Sequence, residues 1–129
     1  MKKPLKNGAI GSKLEKANSK NVLKERLNTL IFYHISTPEQ FAKFSDKDFY
    51  ETESLRTENF IHASFAEQLE ETLETHYKNA SRVLLLTIDS ELLTAKLVVE
   101  KSRNGENFPH IYGAINKSAI VAVTERDLN

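Results

Sequence analysis

The chain has 129 residues, 40% of them hydrophobic and 28% charged, with no cysteine and a formal net charge of zero. This balance fits one globular domain around one core and excludes disordered and fibrous classes. The missing thiol also removes disulfide scaffolds, thiol nucleophiles, iron–sulfur clusters and thiolate zinc sites.

The longest uncharged apolar run, Val83 to Ile88, is far below the ~20 residues of a membrane helix, and no apolar block near the N-terminus suggests a secretory signal. A soluble, cytoplasmic protein is therefore expected. Residues 1–26 hold eight Lys and Arg against two Glu, so a basic head precedes an acidic body. Such a body suits nucleic acid poorly, because phosphate contacts supply most of that affinity. Residues 1–29 are expected to form a basic, solvated extension and residues 30–129 a single domain. Val22, Leu23, Leu27 and Leu30 recur at helical spacing and predict a short helix leading into the body.

Leu30 to Ile35 is β-branched and aromatic, which predicts a buried strand. Thr37-Pro38-Glu39-Gln40 follows with a cap, a proline at the first helical position and a glutamine three residues after the cap, so a helix is expected from Pro38 to about Phe44. Residues 45–58 are polar and acidic and read as a long surface loop with at most one helical turn. Phe60 to Ala63 predicts a short strand. Ser64 with Glu67 predicts a capping box for a helix whose apolar stripe is Ala66, Leu69, Leu73, Tyr77 and Ala80. Val83 to Ile88 reads as a central strand, Asp89 to Leu93 as a turn, Leu97 to Glu100 as a strand and Lys101 to Asn107 as a loop tip around Asn104-Gly105. Phe108 to Gly113 reads as irregular or extended, since Pro109 lacks a backbone donor and should not continue a central ladder. Ala119 to Glu125 closes the chain as a last strand. The order of elements argues for an α+β fold with small mixed or antiparallel sheets and two to three helices.

Three of the four histidines follow a phenylalanine by two residues, at Phe32-Tyr33-His34, Phe60-Ile61-His62 and Phe108-Pro109-His110. Composition alone gives roughly 0.2 such triplets, so the pattern asks for a cause. Residues two apart on a strand share a face, so each Phe should pack beside its His. The first two histidines should sit at strand ends just ahead of helix starts, where a phosphate or ribose can be met. A plain core role for each histidine is the competing account, and a His₃ metal site is a further one, although no close His pair starts it. Phe108 is expected to be buried, with His110 at a cleft mouth pointing toward His62. Glu100, at a strand end before a loop, is the one acid singled out. His76 reads as a helix-end residue interacting with the dipole.

Leu30 to Thr37, Asn59 to Ser64, Val83 to Asp89 and Asn107 to Gly113 together resemble the successive blocks of the bacterial domain-of-unknown-function family 952 (DUF952), over about residues 30–125. The resemblance implies an ADP-ribosyltransferase-like fold. The first two histidine blocks are also similar to those of RNA 2′-phosphotransferases, where a Tyr-His-Gly-Thr strand and a His-x-His-x-Ser strand line an NAD site. Tyr33 and His34 match Tyr-His, while Ile35 and Ser36 replace the glycine and threonine. His62 and Ser64 match the second His and Ser, with Phe60 in place of the first His. Arg56 is the only arginine between the two blocks, which speaks against the phosphotransferase reaction itself, because that logic needs arginine on a phosphate.

What the resemblance implies for function is a cleft lined by His34, His62 and His110 that accepts NAD, or a related nucleotide, as substrate. His34 would contact ribose, with Tyr33 and Ser36 beside it, and His62 and Ser64 would contact the phosphate or second ribose. His110 or Tyr112 would stand where the catalytic acid usually does. The implied chemistry is ADP-ribosyl transfer or NAD glycohydrolysis. The alternative is a non-enzymatic module that keeps the cleft and only binds a small molecule.

Overall fold

A computed structural model describes residues 30–128; the basic head and its expected helix lie outside the described residues. The β-branched runs become strands and the capped segments become short helices. In chain order these are β1 (Ile31–Ser36), α1 (Pro38–Ala42), β2 (Phe49–Tyr50), α2 (Glu53–Thr57), β3 (Ile61–His62), α3 (Leu69–His76), β4 (Arg82–Asp89), β5 (Lys96–Lys101), β6 (Asn107–Tyr112), β7 (Ile115–Asn116) and β8 (Ile120–Asp127). Single 3₁₀ turns at Ala66–Gln68 and Lys117–Ala119 lead into α3 and β8.

The strands form three small antiparallel sheets, ordered β1-β4-β8, β2-β7 and β3-β6-β5. The fold is therefore α+β with antiparallel pairing throughout the described residues. β4 is central because it is apolar on both faces. Its Leu84, Leu86 and Ile88 join Phe32, Tyr50, Ile61, Ile111 and Ile115 in the main core, while Val83 packs with Ile35 and with Leu73 of α3 on the other face. Each fully buried aliphatic side chain contributes roughly 2 kcal/mol, so these two clusters dominate the stability of the body.

Two helix starts show how local chemistry sets the frame. At α1 the Thr37 hydroxyl accepts from Gln40 N at 3.0 Å, as the Thr-Pro-Glu-Gln motif predicts. At the second, the expected pair of Ser64 and Glu67 is replaced by the next two positions. Gln68, not Glu67, reaches back, and its Oε1 accepts from Phe65 N at 2.9 Å. Ser64 is occupied elsewhere: its main chain bridges that of Tyr33 through hydrogen bonds of 2.8 and 2.7 Å. The shift leaves Ala66 exposed in the 3₁₀ turn, whereas Leu69, Leu73, Tyr77 and Ala80 keep the apolar stripe.

The segment 45–58 carries more structure than a loop. Phe49–Tyr50 pairs with Ile115–Asn116, and Glu53–Thr57 is helical. Phe108 to Gly113 also departs from expectation, because Asn107–Tyr112 is the middle strand of its sheet. Pro109 lies opposite Val99 of β5, but the β3 ladder covers only Ile111 and His110 on the other side. Proline thus stands one residue past the end of that ladder, where a missing N–H is tolerated.

Candidate functional site

The first histidine is locked into the core. β1 directs His34 inward, 6% exposed, where burial lowers its pKa from the ordinary 6.5 to about 4. The ring is therefore neutral around pH 7. Its Nδ1–H donates to the His62 carbonyl at 2.7 Å, because a carbonyl only accepts, and Nε2 is left as the acceptor facing the Tyr50 hydroxyl at 2.9 Å. That hydroxyl also lies 3.0 Å from Ser36 Oγ, and burial pushes its pKa up to about 12. Phe41, Phe44 and the His34 ring surround Tyr50 at centroid distances of 5.8, 5.5 and 5.3 Å. Both nitrogens of His34 are thus spent inside the protein. With the Tyr33–Ser64 bridge they stitch β1 to β3 and fix where His62 stands.

The other two histidines come together on the β3-β6-β5 sheet. His62 pairs with His110 across β3 and β6, and their ring centroids are 5.9 Å apart. His110 is buried and stacks on Phe60 at 4.0 Å with the planes 17° apart, while His62 meets the same phenyl edge-on at 5.0 Å. His62 is exposed, with Nε2 3.3 Å from Glu58. The expected burial is inverted at the third triplet: His110 is enclosed, and Phe108 is only half-buried.

Glu100 completes this face. Val98 of β5 pairs with His110, so the residue two further along shares that side of the sheet and meets the imidazole. Glu100 Oε1 accepts from His110 Nδ1–H at 2.8 Å and also from the Tyr112 hydroxyl. The Tyr112 bond, then the His110 bond, hold the Glu100 carboxyl below the usual carboxylate range, and the same contact pushes the Tyr112 phenol up. Both bonds fall on one oxygen, and among the described residues no hydrogen bond is made to Oε2. The Tyr112 ring lies 5.5 Å from Phe60. The result is an ionised carboxylate, oriented by a histidine and a tyrosine, beside a patch of aromatic rings.

A second feature borders His62. A pocket of about 50 Å³ is bordered by His34, His62, Ser64, Thr72 and Tyr77 together with the apolar Ile35 and Ala63. A larger groove of about 360 Å³, between Glu70, Tyr77, Lys78 and Arg126, shares Tyr77 with it. Among the described residues no set of three or more ligating side chains is placed to hold a metal ion, and no helix is long and apolar enough to cross a membrane.

The sequence-derived residues therefore divide. His62, His110 and Tyr112 meet on one face. His34 and Ser36 lie in the core beneath it, and Ser64 and the half-buried Tyr33 mark the seam between sheets. Sequence reasoning passed over Tyr50 and Phe60, which the structure brings against the histidines. Phe60 carried a signal in its Phe-x-His triplet; Tyr50 carried none, since a single tyrosine in a polar stretch has no period.

A model of the family described as protein of unknown function, DUF952, matches residues 35–123. Among solved structures, the X-ray crystal structure of protein CC0527 from Caulobacter crescentus is 27% identical with a TM-score of 0.70, covering 78% of this chain and 89% of that one. A double mutant of the same Caulobacter protein is 26% identical, with the same score and coverage. No curated protein matches the chain.

Proposed function

Because the chain belongs to the DUF952 family of proteins of unknown function, its role has to be read from its own site, and we propose that the Glu100 face binds NAD or a related nucleotide and supports cleavage at the nicotinamide ribose. The observation that carries this reading is the ionised Glu100 carboxylate, one oxygen of which is held by His110 and Tyr112 next to the rings of Phe60 and His62. The flat nicotinamide stacks on an aromatic surface. The ADP-ribosyltransferase-like kinship suggested by the sequence belongs to the same reading.

The chemistry asks little of the protein. The bond between ribose C1′ and the nicotinamide nitrogen breaks, and its electron pair leaves with the now neutral base. The ribosyl group acquires oxocarbenium character, which a fixed carboxylate stabilises, and water or an acceptor hydroxyl adds to C1′ and gives its proton to bulk water. Glu100 is the catalytic residue in this scheme. His110 is a positioning residue, while exposed His62 and Tyr112 contact the ligand. His34, with both nitrogens engaged, holds His62 in place through its carbonyl.

The test is to incubate the protein with NAD and follow free nicotinamide, with ring and amide chemical shifts recorded in parallel. Nicotinamide release by wild type, lost roughly a hundredfold in Glu100→Gln with NAD binding retained, is the expected result. NAD binding without any release would convert the site to a binding module. Saturating NAD that leaves the rings of Phe60, His62 and His110 unmoved would overturn the proposal.

A further inference from the structure

β5 is the outer strand of the β3-β6-β5 sheet, and its far edge pairs with no other strand among the described residues. The β5–β6 ladder fixes the phase of that edge. One step beyond the Lys101–Asn107 pair, Ser102 N donates to Glu106 O at 2.9 Å. Hydrogen-bonded pairs alternate along an antiparallel ladder, so Lys96, Val98 and Glu100 turn their main-chain groups toward β6, and those of Leu97 and Val99 point outward. An edge of this kind recruits another strand unless something blocks it. Val99 is 45% exposed and Leu97 half-buried on one side of the strand, while Lys96, Val98 and Glu100 share the other side, that of His110.

The charges along β5 select the strand that fits this edge. When two copies of β5 meet antiparallel about a two-fold axis at Val98, Leu97 stands opposite Val99 and Lys96 opposite Glu100, at both ends. Each Leu97–Val99 pair exchanges its outward main-chain hydrogen bonds, and Lys96 and Glu100 fall on the closer, non-hydrogen-bonded positions, with Cα atoms about 4.5 Å apart. Other registers of the same main-chain phase fit worse. An axis at Leu97 or Val99 sets Lys96 or Glu100 against Val98, and an axis at Lys96 or Glu100 brings like charges face to face. Lysine on an edge strand usually blocks pairing, but here its complement lies on the same strand. Lys96 is exposed and enters none of the ion pairs among the described residues. Glu100 uses Oε1 for His110 and Tyr112, which leaves Oε2 to meet an ammonium from across the edge.

We infer that β5 is the interface of a homodimer, pairing about Val98 with β5 of a second copy so that Lys96 of each copy lies against Glu100 of the other. The exposed Val99 is then covered by Leu97 of the second copy. The two three-stranded sheets become one continuous sheet, and both Glu100 faces lie on the same side of it, because residues paired across an antiparallel ladder share a face. Each face thereby gains a cation from its neighbour. The inference goes beyond the nucleotide reading and does not depend on it. A single pair of short strands makes a narrow contact, so the dimer is a reversible one, with a Kd on the order of 10 µM.

Sedimentation equilibrium of the full chain, loaded on either side of that Kd, measures the association. Wild type should dimerise. Lys96→Glu sets two acidic side chains face to face at each end and Glu100→Lys two cationic ones, so each variant alone should self-associate at least about tenfold more weakly. An equimolar mixture of the two variants should recover the dimer, because both ends again join opposite charges. Glu100→Lys also loses its bonds to His110 and Tyr112, so amide exchange of the wild type gives a second measurement free of variants. The Leu97 and Val99 amides should slow as the concentration rises through the Kd, while those of Val98 and Glu100, already bonded to β6, should not change. Wild type that stays monomeric at about 0.5 mM, some 50 times that Kd, would overturn the interface. So would a dimer that Lys96→Glu leaves intact, or one whose Leu97 and Val99 amides exchange as fast as in the monomer.

Discussion

His34 Nδ1 lies 2.7 Å from the main-chain carbonyl oxygen of His62, so the first histidine of the sequence pattern holds the second in place. The pair belongs to two different sheets; the carbonyl bond by itself favours the charged ring, but burial outweighs it and keeps Nε2 unprotonated as the acceptor toward Tyr50. Protonating Nε2 would turn the acceptor into a donor in a buried setting that disfavours charge.

That arrangement makes stability depend on pH in a defined window. The folded pKa of about 4 lies below the ordinary 6.5, so between these values the unfolded chain binds the extra proton. Stability is complete above pH 6.5 and falls as the pH drops toward 4, by about 3 kcal/mol from this group at 1.36 kcal/mol per pH unit. Urea unfolding across pH 4 to 7 measures the slope. A His34→Gln variant, which cannot titrate, should show a flatter profile there; an identical slope would rule His34 out as its source.

Tyr50→Phe removes the hydroxyl shared by His34 and Ser36 and leaves both without that partner in the core. The ring packing among Phe41 and Phe44 is kept, so the loss reports the polar contacts alone. A destabilisation of about 2 kcal/mol is expected, from unpaired buried groups rather than a cavity. Equilibrium denaturation reads it, and a change below about 0.5 kcal/mol would mean that the network is replaced without cost.

Much of this frame was legible in the sequence where a period or cap exists. Val83 to Ile88 could only be a buried strand, and Thr37-Pro38-Glu39-Gln40 states its own helix start. Signals failed where pairing partners, not local pattern, decide. Phe49–Tyr50 is a strand only because Ile115–Asn116 lies against it, and Pro109 sits in a middle strand because the β3 ladder stops beside it. Likewise the triplets placed each His beside an aromatic ring, yet nothing local distinguishes His34, sealed between His62 and Tyr50, from exposed His62.

Gly113 follows β6 with φ +157°, and a Cβ added there would meet Ala95 Cβ at 3.0 Å. Gly113→Ala therefore combines an unfavourable backbone with a contact between two short side chains that cannot swing away. A cost of about 2 kcal/mol is expected. Gly105, also at positive φ but with open space around it, provides the control: Gly105→Ala bears the backbone term alone and should cost about 1 kcal/mol. Thermal melts of the two variants separate the contributions, and equal losses would show that the Ala95 contact carries no weight.

The ionisation of Glu100 can be taken apart through its two donors. Tyr112 and His110 both bond Oε1 and both lower its pKa, Tyr112 the more. Tyr112→Phe should raise the Glu100 pKa, His110→Asn should raise it less if the amide still reaches the carboxylate, and the combined variant should return it to the ordinary carboxylate range. Carboxyl carbon shifts followed over a pH titration give these values directly. His110→Ala must also lose its stack on Phe60 at 4.0 Å, so it should destabilise the sheet by about 2 kcal/mol, whereas Tyr112→Phe, which keeps its exposed ring, should leave stability nearly unchanged. If nicotinamide release then fell in step with the rise in Glu100 pKa across Tyr112→Phe and the combined variant, orientation and charge of that carboxylate would be acting together. Activity indifferent to the Glu100 pKa would instead place the chemistry elsewhere.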